Sequence, residues 1–279
     1  MKIAAVIGSP VAQSLSPAIH NASFRSRGDD WAFGSFPVAP GRVPDALQAM
    51  RELQIAGLAV TMPHKDAAYS AVDAMHESAQ VCRSVNTVIV ASDGDLLGAN
   101  TDGDGCCNAL EAAGAILGGA RIVVIGAGGT ARAIVVAATR RGARDIVIIN
   151  RSLRRASDAA AISSVARVGD PSEISQAGIV INTTPVGLGA LDHSETPIDV
   201  NMLRSQQIVL DAVYYPLQTP LLRAAQSCGA IAVDGLSMLV HQAALQQQFW
   251  LGRLPDLAIM RQAALNEIEA RRVRRSPIA

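Results

Sequence analysis

Aromatic side chains supply only 3% of the 279 residues, too few for the stacking surfaces on which single-stranded nucleic acids lie. Net charge is missing as well. The 24 Lys and Arg balance the 24 Asp and Glu, so the chain has no field to gather a polyanion or an anionic membrane surface. Cysteine is scarce: Cys82, Cys106, Cys107 and Cys228 have neither paired metal-ligand spacing nor the density of a disulfide scaffold. They point to reduced thiols in a cytosolic chain, with the adjacent Cys106 and Cys107 as small helix residues. The five histidines show no metal-ligand spacing either. The apolar run after Lys2 is too short for the core of a secretion signal and ends in Gly8-Ser9-Pro10, so it reads as a buried first strand. What is present is a chain 49% hydrophobic and 17% charged, with Ala, Val, Ile and Leu abundant. That balance describes a folded protein of two modest domains whose ligand is a small molecule.

Periodicity alternates between strand and helix. Strands are expected at Ile3–Ile7, Trp31–Val38 and Gly57–Thr61, and helices at Pro17–Arg27 and Val43–Glu52. Such alternation predicts an α/β fold with a mostly parallel sheet, because parallel strands need crossover connections. Ser84–Val90 and Asp95–Ala99 flank the turn Asp93-Gly94 and read as a hairpin closing the first unit. A helix then runs from Gly105, and a second series of strands follows at Arg121–Ile125, Ile146–Ile149, Ile179–Asn182, Ile208–Asp211 and Ala230–Val233. The expected division is 1–102, 103–235 and a helical segment 236–279, with helices from Met238 to about Trp250 and from Asp256 to about Arg272. The basic run from Arg271 to Arg275 reads as a solvated helix end, where cations suit the dipole.

Gly126-Ala127-Gly128-Gly129-Thr130-Ala131 lies between a predicted strand and a predicted helix. Glycines there allow a tight turn and close approach of a pyrophosphate, which rests on free N–H groups at the positive helix end. The next strand ends at Asn150, about where a dinucleotide fold meets the adenosine ribose. A carboxylate at that point would repel a 2′-phosphate. This chain has Asn150, then Arg151, Ser152, Arg154 and Arg155, donors suited to gripping one, so the Rossmann-type unit is expected to take NADP rather than NAD.

Four polar clusters in the first unit fall at strand ends or turns: Ser14 to Pro17, Thr61 to Lys65, Val85 to Thr87 and Asn100 to Asp102. Strand ends are where open α/β sheets bind ligands. Ser16-Pro17 reads as a helix cap followed by proline at the first helical position. Ser14 is surplus to a cap, and two hydroxyls before a helix N-terminus suit a carboxylate. Lys65 falls in a first helical turn, where a cation opposes the dipole, which makes it a candidate acid–base group on a substrate oxygen with Asp102 to orient it. His64 is the weaker rival.

Together these motifs resemble the shikimate dehydrogenase family. The matching stretches are Gly8-Ser9-Pro10 with Ser14 to Asn21, Val60 to Lys65, Val85 to Thr87, Asn100 to Gly103, Gly126 to Gly129, Asn150 to Ser152, Asn182 to Gly187, Asp211 to Pro216 with Thr219 to Leu222, and Gly235 to Ala243. The resemblance implies reversible NADPH-dependent reduction of 3-dehydroshikimate to shikimate, in chorismate and aromatic amino-acid biosynthesis, by a cytoplasmic and dimeric enzyme. It implies two α/β domains, with C-terminal helices packing back on the first. By position it implies Lys65 and Asp102 as the catalytic pair. Ser14 and Ser16 would hold the substrate carboxylate, and Thr61, Asn86, Tyr214 and Gln242 the ring and its hydroxyls. Asn150, Arg151, Ser152 and Arg155 would meet the 2′-phosphate, with Thr183 and Gly235 also on the cofactor. The family includes quinate-using and NAD-preferring members, and a non-catalytic NADP-binding regulator could share the fold, although it would have no reason to keep Lys65, Asp102 and Gln242. The chain departs from the usual pattern at Ala59, where Asn is common, and at Arg83, where Gly is common.

Overall fold

The computed structural model describes residues 1–189 and 195–275. Two compact units are present, Met1–Thr101 with the chain from Ala243 onward, and Asp102–Gln242. The first begins β1 (Lys2–Gly8), α1 (Ser16–Arg27), β2 (Trp31–Pro37), α2 (Val43–Glu52) and β3 (Gly57–Val60). It continues with α3 (Lys65–Tyr69), β4 (Ala74–Met75), α4 (Glu77–Gln80), β5 (Thr87–Val90) and β6 (Leu96–Ala99). The second holds α5 (Asp102–Ala112), β7 (Arg121–Ile125), α6 (Gly129–Arg140), β8 (Asp145–Ile149), α7 (Leu153–Ala160), β9 (Ala166–Val168), β10 (Ile179–Asn182), β11 (Ile208–Asp211), α8 (Pro220–Ser227) and β12 (Ile231–Val233). The boundary between the last two segments falls inside α9 (Gly235–Leu251), and α10 (Leu257–Arg275) ends the described chain.

The first sheet has the order β2-β1-β3-β5-β6-β4. β1 pairs in parallel with β2 and β3, whereas β5 is antiparallel to both β3 and β6. The expected hairpin is present, but its first strand begins at Thr87 rather than Ser84. Ser84 to Asn86 are drawn into a loop instead, where the Val85 N–H donates to the Lys65 carbonyl and the Asn86 N–H to the Ala99 carbonyl. Strand side chains alternate between two cores, as a pleat with both faces covered requires. Ala5, Ile7, Leu58 and Val60 pack with Val43, Leu47 and Met50 of α2, while Ala4, Val6 and Ala59 pack with Phe24, Phe33 and Trp250. α10 lies along α1, so the last helix does return to the first unit.

The second sheet is parallel throughout, in the order β12-β11-β10-β7-β8-β9. This is the doubly wound dinucleotide-binding arrangement, with strand order reversing between β7 and β10. Its Val/Ile-rich strands are buried on both faces. Ile122, Val124, Ile146 and Ile148 meet α5 and α6, and Val123, Val147, Val180 and Val209 meet α8. Cys106 and Cys107 belong to the first of these cores, and burial pushes the Cys106 thiol well up and that of Cys107 to about 12. They are inert packing residues.

Candidate active site and nucleotide site

In the first unit, β1 and β3 run in parallel and β5 runs back against β3, so the end of β3 lies beside the start of β5 with Ala59 opposite Thr87. β6 in turn ends with Ala99 opposite Thr87. Ser14 and Ser16, Thr61 to Lys65, Asn86, and Asn100 with Thr101 therefore all follow or precede strand ends on one side of the sheet, although they are scattered through the sequence.

Ser16 is the first residue of α1 and does not cap it. The cap position is Leu15, which offers no side-chain acceptor, and the Ser16 N–H is met instead by Ser14 Oγ at 3.2 Å. Ser14, two residues before Ser16 and outside the cap position, is thus the hydroxyl that meets the first N–H of the helix. Thr61 is tied to the neighbouring strand through its N–H to the Ile7 carbonyl. His64 is buried, and its Nε2 lies 2.7 Å from the Val38 carbonyl; that bond fixes the imidazole as a structural strut, so Lys65 is left as the acid–base candidate. Lys65 opens α3 and is half-buried.

Asn86 is 2% exposed. Its side chain holds Thr101 at two atoms and accepts from Thr87 Oγ1 at 2.8 Å, while its carbonyl accepts from Gln246 Nε2 at 3.1 Å. Ala59 belongs to the packed core beside Phe33, so this departure from the family pattern is absorbed as packing. Arg83 is exposed and has φ 49°, a left-handed backbone that glycine adopts freely and arginine only at a cost.

In the second unit, Asp102 begins α5 and is 5% exposed, with its charge at the favourable end of the helix dipole. Thr130 Oγ1 donates to its carboxylate at 3.3 Å, which connects the glycine turn directly to Asp102. Gly126 has φ 108°, and a Cβ there would lie 2.3 Å from Thr183 Oγ1. Thr183 closes the turn with both its N–H and its hydroxyl on the Ile125 carbonyl, each at 2.8 Å. Gly128 caps α6 without a side-chain bond, and open space lies above it. The N–H groups of Gly128 to Ala131 thus stand at a helix N-terminus with room for an anion.

Asn150 Nδ2 donates to the Ser152 carbonyl, and Ser152 Oγ caps α7 by accepting from the Arg155 N–H. Arg151, Arg154 and Arg155 are exposed around that helix start. Among the described residues none of the three pairs with a carboxylate. Cations left unneutralised at a helix N-terminus oppose its dipole unless an anion joins them, and a ribose 2′-phosphate fits both the charge and the position.

A polar latch that sequence reasoning missed joins the ends of β10 and β11. Asp211 is buried, accepts from Asn182 Nδ2 at 2.8 Å, Thr219 Oγ1 at 2.6 Å and the Val213 N–H at 3.1 Å, and has its pKa raised by burial. It fixes the loops that carry Thr183 and Tyr214. Thr219 also caps α8, and that Thr-Pro helix start was the available signal. Gly235 opens α9 against the backbone of Val213, with no room for a Cβ, and Gln242 Nε2 donates to the Leu239 carbonyl one turn back.

Three family models match the chain: the shikimate dehydrogenase substrate binding domain over residues 6–88, the shikimate/quinate 5-dehydrogenase over 109–193, and the shikimate 5′-dehydrogenase C-terminal domain over 235–265. A shikimate dehydrogenase (NADP(+)) of Symbiobacterium thermophilum is 41% identical, the match covering 96% of this chain and 95% of the relative. The crystal structure of shikimate 5-dehydrogenase from Thermus thermophilus in complex with NADP(H) and shikimate superposes with a TM-score of 0.89 at 34% identity, covering 95% of this chain and 99% of that one. A ligand-free 5-ketofructose reductase of Gluconobacter sp. strain CHM43 follows with a TM-score of 0.85 at 31% identity, over 95% and 98% of the two chains. With identity of this order sustained along nearly its whole length, the chain belongs to the shikimate dehydrogenase family.

Proposed function

We propose that the chain catalyses the reversible NADP-dependent interconversion of 3-dehydroshikimate and shikimate, one step of chorismate and aromatic amino-acid biosynthesis. The observation that carries this reading is that Ser14, Ser16, Thr61, Lys65 and Asn86 all fall at the same end of the interior strands of the first unit. The first unit then binds substrate, and the second binds cofactor through Gly126 to Ala131, Asn150 to Ser152, Arg155, Thr183 and Gly235.

Ser14 and Ser16 present hydroxyls at the N-terminus of α1, where a carboxylate gains from both hydrogen bonds and the helix dipole. Thr61 and Asn86 in the first unit, and Tyr214 and Gln242 in the second, are donors and acceptors of the kind that bind hydroxyls. Arg151 and Arg155, at the start of α7, hold the 2′-phosphate. NADPH, when bound, supplies hydride to the substrate carbonyl carbon. Lys65 stabilises the oxyanion that develops there and delivers its proton. Asp102 is the second member of the catalytic pair, and its carboxylate accepts from Thr130 Oγ1. The cytoplasm, where reduced thiols persist, is the compartment that fits, and a homodimer is the expected assembly.

Reduction of NADP by purified protein with shikimate, followed at the nicotinamide absorbance band, tests the reading. Turnover with shikimate and NADP supports it; turnover with quinate or NAD alone, or none with any pair, refutes it.

A further inference from the structure

The basic run that begins at Arg271 reads in the sequence as a solvated helix end. The structure places its first residue elsewhere. The Arg271 side chain is only 23% exposed, and its guanidinium reaches from α10 to the loop before α1. Nη1 donates to the Gln13 carbonyl at 2.6 Å and Nη2 to the Ser14 carbonyl at 3.0 Å. Nε donates at 2.7 Å to Glu267 Oε1, one turn earlier on the same helix. That carboxyl is held below its ordinary range, first by the hydrogen bond from Arg271 and also by Arg274. A planar fork with one edge fixed by a carboxylate and the other spanning two successive carbonyls sets the orientation of the peptide groups between them.

The loop so gripped is the one that presents Ser14. Its N–H bonds to the Val11 carbonyl, and its Oγ accepts from the Ser16 N–H. The hydroxyl position is therefore set by the backbone on either side, and Arg271 is what fastens that backbone to the α10 helix. A carboxylate site built from two hydroxyls gains affinity from being held in place before the ligand arrives.

We propose that Arg271 is a positioning residue for substrate recognition, holding Ser14 in the geometry that receives the substrate carboxylate. This rests on the reading of Ser14 as a carboxylate ligand. Arg271 acts through the loop and belongs to affinity for the substrate rather than to the chemical step. A lysine in its place keeps the charge but cannot span two carbonyls and a carboxylate in one plane.

Steady-state kinetics of Arg271→Ala, Arg271→Lys, Ser14→Ala and the double variant Arg271→Ala/Ser14→Ala test it, with thermal melts alongside. For Arg271→Ala the KM for shikimate should rise about tenfold while kcat stays within about twofold and the KM for NADP is unchanged, the pattern of lost uniform binding. Arg271→Lys should recover part of the loss. The double variant should be little worse than Ser14→Ala alone, because the two act on one contact. If Ser14→Ala leaves the KM for shikimate unchanged, the underlying reading of Ser14 fails and the proposal falls with it. If Ser14→Ala raises that KM but Arg271→Ala does not, or if the two effects are fully additive, the positioning role alone is overturned. Should Arg271→Ala not fold, Glu267→Gln, which frees the guanidinium while leaving it in place, reads the same KM. No change in KM in either Glu267→Gln or Arg271→Lys would then overturn the proposal.

Discussion

Asn86 grips Thr101 at two atoms: its Nδ2 donates to Thr101 Oγ1 at 3.0 Å, and its Oδ1 accepts from the Thr101 N–H at 2.9 Å. The site edge of the first unit is thus held together by one of its own candidate ligands. Removing that side chain leaves a buried N–H unpaired, so Asn86→Ala should lose about 2 to 3 kcal/mol of stability in urea unfolding, beyond any effect on turnover. A variant as stable as the parent would show that the loop finds another partner for Thr101.

Arg151 and Arg155 stand exposed at the start of α7, and among the described residues neither pairs with a carboxylate; a 2′-phosphate is the group that distinguishes the two nicotinamide dinucleotides. Arg151→Ala should raise the KM for NADP about tenfold or more while leaving the KM for NAD nearly unchanged, since only one cofactor makes the charge-assisted bonds. Equal losses with both cofactors would place the guanidinium elsewhere on the dinucleotide.

Lys65 opens α3 at the substrate edge. Lys65→Ala should lower kcat by about 10²- to 10⁴-fold with a smaller change in KM, as loss of a group that acts on a developing oxyanion requires. Steady-state rates with shikimate and NADP check this, and near-parental kcat would remove Lys65 from the chemical step.

Legibility tracked the length of the pattern. The long Val/Ile runs of the second sheet and the glycine turn between β7 and α6 could be read directly, because buried parallel strands and phosphate turns leave continuous marks in sequence. β4, β9 and α4 span two to four residues, too few to show a period. The Ser-Pro spacing points to Ser16 as the cap of α1, whereas the helix includes Ser16, and its N–H donates to Ser14 Oγ, a bond that spacing alone does not show. Asn182, Asp211 and Thr219 are 29 and 8 positions apart, so their latch exists only once β10 and β11 are paired. Arg271 was hidden for the converse reason: a local charge run looks solvated until another element comes within its reach.

His20 makes the first unit acid-sensitive. It is wholly buried, stacked on Phe33 with ring centroids 4.3 Å apart and flanked by Trp250 at 5.2 Å. Gln247 Nε2 lies 3.0 Å from its Nδ1, and because the amide can only donate there, the imidazole is neutral with its proton on Nε2. Burial lowers its pKa from 6.5 to about 3, against a smaller opposing effect of Gln246. The unfolded chain takes up a proton near the ordinary value while the folded chain refuses it. The contribution is therefore fully present above pH 6.5 and is lost as the pH falls toward 3. At pH 5 that loss should be on the order of 2 kcal/mol. Urea unfolding of the parent and of His20→Gln at pH 7.5 and pH 5 isolates it: the variant should be the less stable protein at pH 7.5, from lost packing, yet should lose less on acidification. If both lose the same amount, the imidazole is already solvated in the folded state and the acid sensitivity lies with other groups.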